Sequence, residues 1–178
     1  MTPATGQRIV ISADAATTES LIAALGSSHR DVIRMPRHPH AFRPGPWPAI
    51  EESLRRFEYR VSQESRRTSF LSCGSVLDDW AELHTSLHRH SPRSHRDAAF
   101  ARRYAAMFAT TAARHARCTY TLCIHIPTPE QRPDDDLTLL AAIKDAGLPL
   151  IATADATSAL AILAGDQTTG LGRVGAIA

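Results

Sequence analysis

The chain has 178 residues, 43% of them hydrophobic and 21% charged, with a formal net charge of +2, which allows one buried core and is too little for two independent domains. No run approaches the ~20 apolar residues of a membrane span, and the N-terminal MTPATGQRIVIS lacks the basic-then-apolar order of a secretory signal, so the cytoplasm is the expected compartment. Cys73, Cys118 and Cys123 form no CxxC pair, which argues against a disulfide framework or a zinc ribbon and predicts buried thiols.

In chain order, Gln7 to Ser12 (QRIVIS) suits a first strand. Thr17 to Leu25 then places Leu21, Ile22 and Leu25 at helical spacing, with Gly26 as the stop. Asp31 to Met35 reads as a second strand ended by Pro36. The proline-rich stretch 36–48 excludes helix and central strand and reads as a surface loop anchored by Phe42 and Trp47. A helix over about 48–63 follows from Pro48 in its first turn and from Ile50, Leu54, Phe57 and Val61 on one stripe.

Arg67 to Cys73 is a strand ended by Gly74. Ser75, with Asp78 three residues on, opens a helix over 75–90 whose stripe is Val76, Trp80, Leu83 and Leu87. Ser91-Pro92 breaks it, and Ser94 caps a helix over 95–115 facing inward through Phe100, Tyr104, Met107, Phe108, Thr111 and His115. The short connection predicts antiparallel neighbours. Arg117 to Ile126 (RCTYTLCIHI) alternates Tyr120, Leu122, Ile124 and Ile126 against Thr119, Thr121, Cys123 and His125, the pattern of a central strand with one buried face. Helix-like 137–146, an apolar run 148–152 and helix-like 157–164 complete a β-α-β-α unit. The expectation is an α/β fold, with α+β as the alternative. It has a single domain over 1–165, a mixed sheet of four to six strands covered by helices, and a flexible glycine-rich tail over 166–178.

Among twenty basic residues only Lys144 is a lysine, a bias that fits high-GC coding. Residues 83–127 carry seven arginines against Asp97 alone, while 128–178 carry seven acids against Arg132, Lys144 and Arg173. Such asymmetry marks either a polyanion-binding face or two solvated helix faces. Arg96, Arg102, Arg103 and Arg114 on the 95–115 helix are the candidate contact for a partner or for nucleic acid.

His84 and His88, four apart on a helix, are weak metal candidates, and Thr85 breaks the HExxH form, so no metal or other cofactor is expected. His38-Pro39-His40 has His-x-His spacing, but Pro39 is a poor strand residue. Gly165 to Gly172 has the outer glycines of a phosphate loop but Leu171 and Gly172 in place of its Lys and hydroxyl, so there is no working GxxxxGK[ST]. Asp134, Asp135 and Asp136 offer carboxylate oxygens to a divalent ion but more simply fit the start of a helix, where they complement its dipole. Cys123 and His125 share a strand face, and Asp155 follows the next strand at the end where ligands bind in open α/β sheets, which makes the three a candidate pocket.

The order RTSFLSC, LDDWAELHTSLHRH, RDAAFARRYAAMFATTAARHA, TYTLCIHIP and LTLLAAIKDAGLPLIATADATSALAIL, over residues 66 to about 165, resembles the N-terminal TraC-like domain of conjugation and type IV secretion ATPases. The resemblance implies a non-catalytic α/β module that docks on channel proteins and on its own kind. The chain ends where the ATPase would begin, so hydrolysis and catalytic residues are not implied. The functional expectation is accordingly a protein-interaction module without catalysis, with conjugation or secretion machinery as partner. A small α/β enzyme or ligand-binding domain with its site near Asp155, and a nucleic-acid binder using the arginine helix, stand as alternatives.

Overall fold

Five short strands are laid side by side in the order β2-β3-β1-β4-β5, and every pairing is parallel. They are β1 (Arg8–Ser12), β2 (Val32–Ile33), β3 (Phe70–Cys73), β4 (Leu122–His125) and β5 (Leu150–Ala152). Among the described residues six helices connect or follow them: α1 (Ala15–Leu25), α2 (Pro46–Glu64), α3 (Val76–Arg89), α4 (His95–Thr119), α5 (Pro133–Asp145) and α6 (Ala156–Gly165). This computed structural model describes residues 6–25, 31–36, 46–89, 94–127 and 133–165. The 37–45 part of the proline-rich loop with His38-Pro39-His40, the stop at Gly26, and the 166–178 tail with most of the Gly165 to Gly172 motif lie outside the described residues. Among the described residues no helix is long and apolar enough to cross a membrane.

The α/β class holds, and the strand count falls in the expected range. The sheet is parallel rather than mixed because every strand-to-strand connection carries at least one helix. Right-handed crossovers then fix the layers. The step from β1 to β2 runs one way across the sheet, and all later steps run the other way. Its helix α1 therefore lies on one face with α6, over Ile9, Ile11, Ile124 and Ile126. The opposite face is covered by α3, α4 and α5 through Val76, Leu77, Ala112, Ala116, Leu139 and Ile143, packed on Val10 and Cys123.

Two-sided cover corrects the reading of 117–126. The central strand is β1, with β4 beside it, and α4 runs on to Thr119 before the chain turns at Tyr120 and Thr121. The strand proper is Leu122–His125. Cys123 and His125 are as buried as Ile124, because a parallel sheet hides both faces. On α4 the buried stripe is Ala101, Tyr104, Phe108, Ala112 and Ala116, whereas Phe100, Met107 and Thr111 face solvent. Tyr104 and Phe108 are buried as expected, but the small side chains at positions 112 and 116 are the ones that meet the sheet, so hydrophobicity alone misplaced part of the inner face.

The helix starts and stops follow local chemistry. Ser75 Oγ accepts from the N–H groups of Leu77 and Asp78, and the Asp78 carboxylate accepts back from Ser75 N–H at 2.7 Å, a reciprocal cap on α3. Ser94 caps α4 through Asp97 N–H as expected. The DAGLPL phrase is a Schellman stop: Gly147 at φ 67° donates to Lys144 O, and Leu148 donates to Ile143 O, before the chain enters β5. Helix α2 starts at Pro46, two residues before the expected start, and takes Trp47 out of the loop.

On α2 the stripe is corrected more deeply. Leu54 is exposed, while Arg60 and Glu64 are 2% and 1% exposed. Arg60 bonds Asp79 Oδ2 at 2.9 Å, Ser72 Oγ at 2.9 Å and Gly74 O at 2.8 Å. Glu64 accepts from Tyr120 Oη at 2.9 Å and meets His115 Nε2 at 2.6 Å. Burial pushes the Asp79 carboxyl up, and the Arg60 guanidinium pulls it back less strongly.

Candidate functional site

Ligands of open α/β sheets bind outside the carboxyl ends of the strands, where neighbouring strands send their connections in opposite directions. Here β1 leaves toward β2 while its neighbour β4 leaves toward β5, so the crevice lies between their C-terminal ends. Ser12 and His125 are register partners there. Both are buried, at 3% exposure each, although both are polar.

A chain of polar side chains crosses this crevice. Ser75 Oγ donates to Asp78 Oδ2 at 2.6 Å, Ser12 Oγ donates to Asp78 Oδ1 at 2.5 Å, and His125 Nδ1 lies 3.4 Å from Ser12 Oγ. On its other side His125 Nε2 faces Asp136 Oδ1 at 3.6 Å, beyond hydrogen-bond reach. Both of those atoms are buried and without a hydrogen-bond partner among the described residues. Each member is placed by an element end: Ser12 and His125 close β1 and β4, Ser75 and Asp78 open α3, and Asp136 sits in the first turn of α5.

The turn between β1 and α1 decides what the site does not do. A phosphate cradle at that place needs a glycine-rich loop whose backbone N–H groups surround the anion, with a lysine to neutralise it. This turn has two residues, Ala13 and Asp14, and residues 12–18 contain neither Gly nor Lys. Asp14 itself accepts from Thr17 N–H at 2.8 Å and Thr17 Oγ1 at 2.6 Å, which holds its carboxyl below the ordinary value of 3.8. The anion site at the start of α1 is thus filled by the chain's own carboxylate. Replacing Asp14 by alanine is expected to cost about 1 kcal/mol of stability, the usual value of such a cap. Because the folded pKa is depressed, that stabilisation is present above pH 3.8 and lost as pH falls through the depressed value. Urea unfolding of both proteins across that range should show the difference shrinking in acid.

The expected trio of Cys123, His125 and Asp155 divides. His125 is in the site. Cys123 is fully buried beneath the helices of one face, and burial followed by the Asp78 charge pushes its thiol far up, so no thiolate forms there. Asp155 is exposed and caps α6 through Ser158 N–H at 2.8 Å, a bond that pulls its carboxyl down. Cys73 is half-buried with its thiol pushed up to about 11 by burial, and Cys118 is exposed, which corrects the expectation of three buried thiols.

The rings of His84 and His88 meet at a tilt of 41° with centroids 4.2 Å apart, and His88 Nδ1 contacts His84 O at 2.8 Å. Among the described residues no group of three or more His, Cys, Asp or Glu is placed to hold a metal. Arg96, Arg102, Arg103 and Arg114 are all exposed on α4. Sequence reasoning missed Ser12, read Asp78 and Asp136 only as helix-end charges, and placed His125 with the wrong partners. The one signal that pointed here was the pair of carboxylates at the starts of helices that follow strands.

No protein-family model matches the chain, and no curated protein does. Among solved structures the chain is similar to deoxyadenosine kinase from M. mycoides with bound dATP, at a TM-score of 0.55 and 10% sequence identity, over 92% of this chain and 100% of that one. At that identity the likeness is one of fold. It corrects the expectation of a non-catalytic docking module, because the chain that shares the fold, along its whole length, is a nucleotide-binding enzyme. The conjugation, secretion and protein-interaction terms of that expectation find no support. The TraC-like resemblance of residues 66–165 is touched by none of these matches.

Proposed function

We propose that the chain binds a small molecule of the nucleoside class in the crevice between the C-terminal ends of β1 and β4, through base and sugar rather than through a phosphate cradle. The observation that carries this is the polar chain from Ser75 through Asp78, Ser12 and His125 to Asp136, laid across the switch point of a fold like that of a nucleoside kinase. Its hydrogen-bonding groups are acceptors and neutral hydroxyls, which suit a neutral ligand rich in donors. Asp14, Asp78, Asp136 and Asp155 stand at the starts of α1, α3, α5 and α6, so an entering triphosphate meets negative charge where a phosphate-binding domain offers free N–H groups.

The test is isothermal titration of the full chain with deoxyadenosine and with the magnesium complex of dATP. Deoxyadenosine is expected to bind, and Mg–dATP is expected to bind no more tightly. Failure of deoxyadenosine and its ribose counterpart to bind would remove the reading, and so would at least tenfold tighter binding of Mg–dATP.

A further inference from the structure

We infer that His125 Nε2 and Asp136 Oδ1 form a two-acceptor clamp for an amino group of the ligand, an inference that deepens the nucleoside-class reading and rests on it for the ligand's place. Asp78 accepts from three donors: Ser75 N–H, Ser75 Oγ–H and Ser12 Oγ–H. The single hydroxyl proton of Ser12 is committed to Asp78 at 2.5 Å, so the Ser12 oxygen can only accept from His125 Nδ1. The clamp therefore assigns His125 a neutral ring with its proton on Nδ1 and Nε2 bare, an acceptor, and that assignment is part of the inference the NMR experiment below tests.

That bare nitrogen faces a second acceptor, the Asp136 oxygen, at 3.6 Å. Both atoms are buried and lack a partner among the described residues, and the His125 side chain is 97% removed from solvent by its 3% exposure. Two buried acceptors face to face are unfavourable until a group with two protons comes between them. A hydroxyl serves only one of them, and a carbonyl or phosphate oxygen serves neither. Water, a primary amine, an ammonium or an exocyclic amino group serves both, from an atom about 2.9 Å from each acceptor, and of these the amino group is the one that a nucleoside-class ligand carries. A divalent cation is disfavoured, because no third His, Cys, Asp or Glu among the described residues completes a metal set.

Deoxyadenosine and deoxyinosine, which differ in an amino group against a carbonyl oxygen, are the probes. Deoxyadenosine is expected to bind the full chain about tenfold or more tightly, the effect of one well-made hydrogen bond to a charged group. Asp136→Asn places an amide N–H₂ against Nε2, satisfies it internally, and is expected to erase the preference for deoxyadenosine over deoxyinosine. Equal affinities in the parent protein overturn the clamp and leave the nucleoside reading standing.

The ring nitrogens of His125, read by ¹⁵N NMR in the ligand-free protein at neutral pH, give an independent answer. The Nδ1–H tautomer with a bare Nε2 is expected, and an Nε2–H tautomer or a doubly protonated ring overturns the inference. If neither nucleoside binds, the nucleoside reading falls and the clamp is decided with ammonium chloride. A shift of the Nε2 resonance in the parent but not in Asp136→Asn supports it, and no shift in either overturns it.

Discussion

Replacing Arg60 by methionine is expected to destabilise the fold by about 3–5 kcal/mol, the cost of breaking a buried ion pair from one side. The guanidinium is 2% exposed and holds Asp79, Ser72 Oγ and the carbonyl oxygen of Gly74 at once. Methionine fills much of the volume but leaves the Asp79 carboxylate, 5% exposed, without its main partner. Arg56, 3.8 Å from Asp79, supplies part of the missing charge and should hold the loss to the lower half of that range. Gly74 belongs to the same unit: it sits at φ 74°, and a Cβ there would come within 3.5 Å of the Arg60 guanidinium. Joining Arg60→Met with Asp79→Leu removes both charges and should recover most of the loss. Guanidinium unfolding of the three proteins measures this, and a loss under 1 kcal/mol in Arg60→Met would show that the pair carries little.

Replacing Glu64 by leucine is expected to cost about 2–6 kcal/mol, since it strips the partner from two groups worth ~1–3 kcal/mol each when left unsatisfied. Tyr120 Oη donates to Glu64 Oε1, and burial pushes its pKa well up, so the phenol stays a donor that needs an acceptor. His115 Nε2 meets the other carboxylate oxygen at 2.6 Å. Glu64→Gln keeps an oxygen for Tyr120 and a group able to face His115, and should lose under about 1 kcal/mol. Tyr120→Phe falls between, because it also frees the Val76 N–H that the phenol oxygen accepts at the start of α3. Equal losses in the leucine and glutamine variants would mean that packing rather than hydrogen bonding decides this position. The same urea or guanidinium series answers it.

The alternation of apolar and polar residues was a sound guide to where helices and strands lie and only a partial guide to which side of them is buried: Val76, Leu83, Tyr104 and Phe108 lie inside as expected. Ser75 with Asp78, Ser94 with Asp97, and the Asp-Ala-Gly-Leu stop of α5 act within four residues, so their chemistry is legible one segment at a time. On α2 the pattern favoured Leu54 and passed over Arg60 and Glu64. A charged residue is expected outside until its partner is known, and the partners Asp79, His115 and Tyr120 lie 19, 51 and 56 residues away. On α4 the alanines carry the contact and Met107 does not, because closeness of approach rather than hydrophobicity selected the face.

The candidate site follows the same division. The chain order of residues determined that carboxylates stand at Asp14, Asp78, Asp136 and Asp155, just past or near strand ends, and that no phosphate loop follows the first strand. That much rests on local composition and spacing, and so do the α/β class and the helix caps. The tertiary structure alone decided that β1 runs between β3 and β4, and hence that Ser12 pairs in register with His125 across 113 residues of chain. It alone brought Asp78 and Asp136 to either side of that pair and sent Cys123 and Asp155 elsewhere. Strand order is set by which helix faces fit against which sheet face, a property of summed packing that no single stretch of sequence contains.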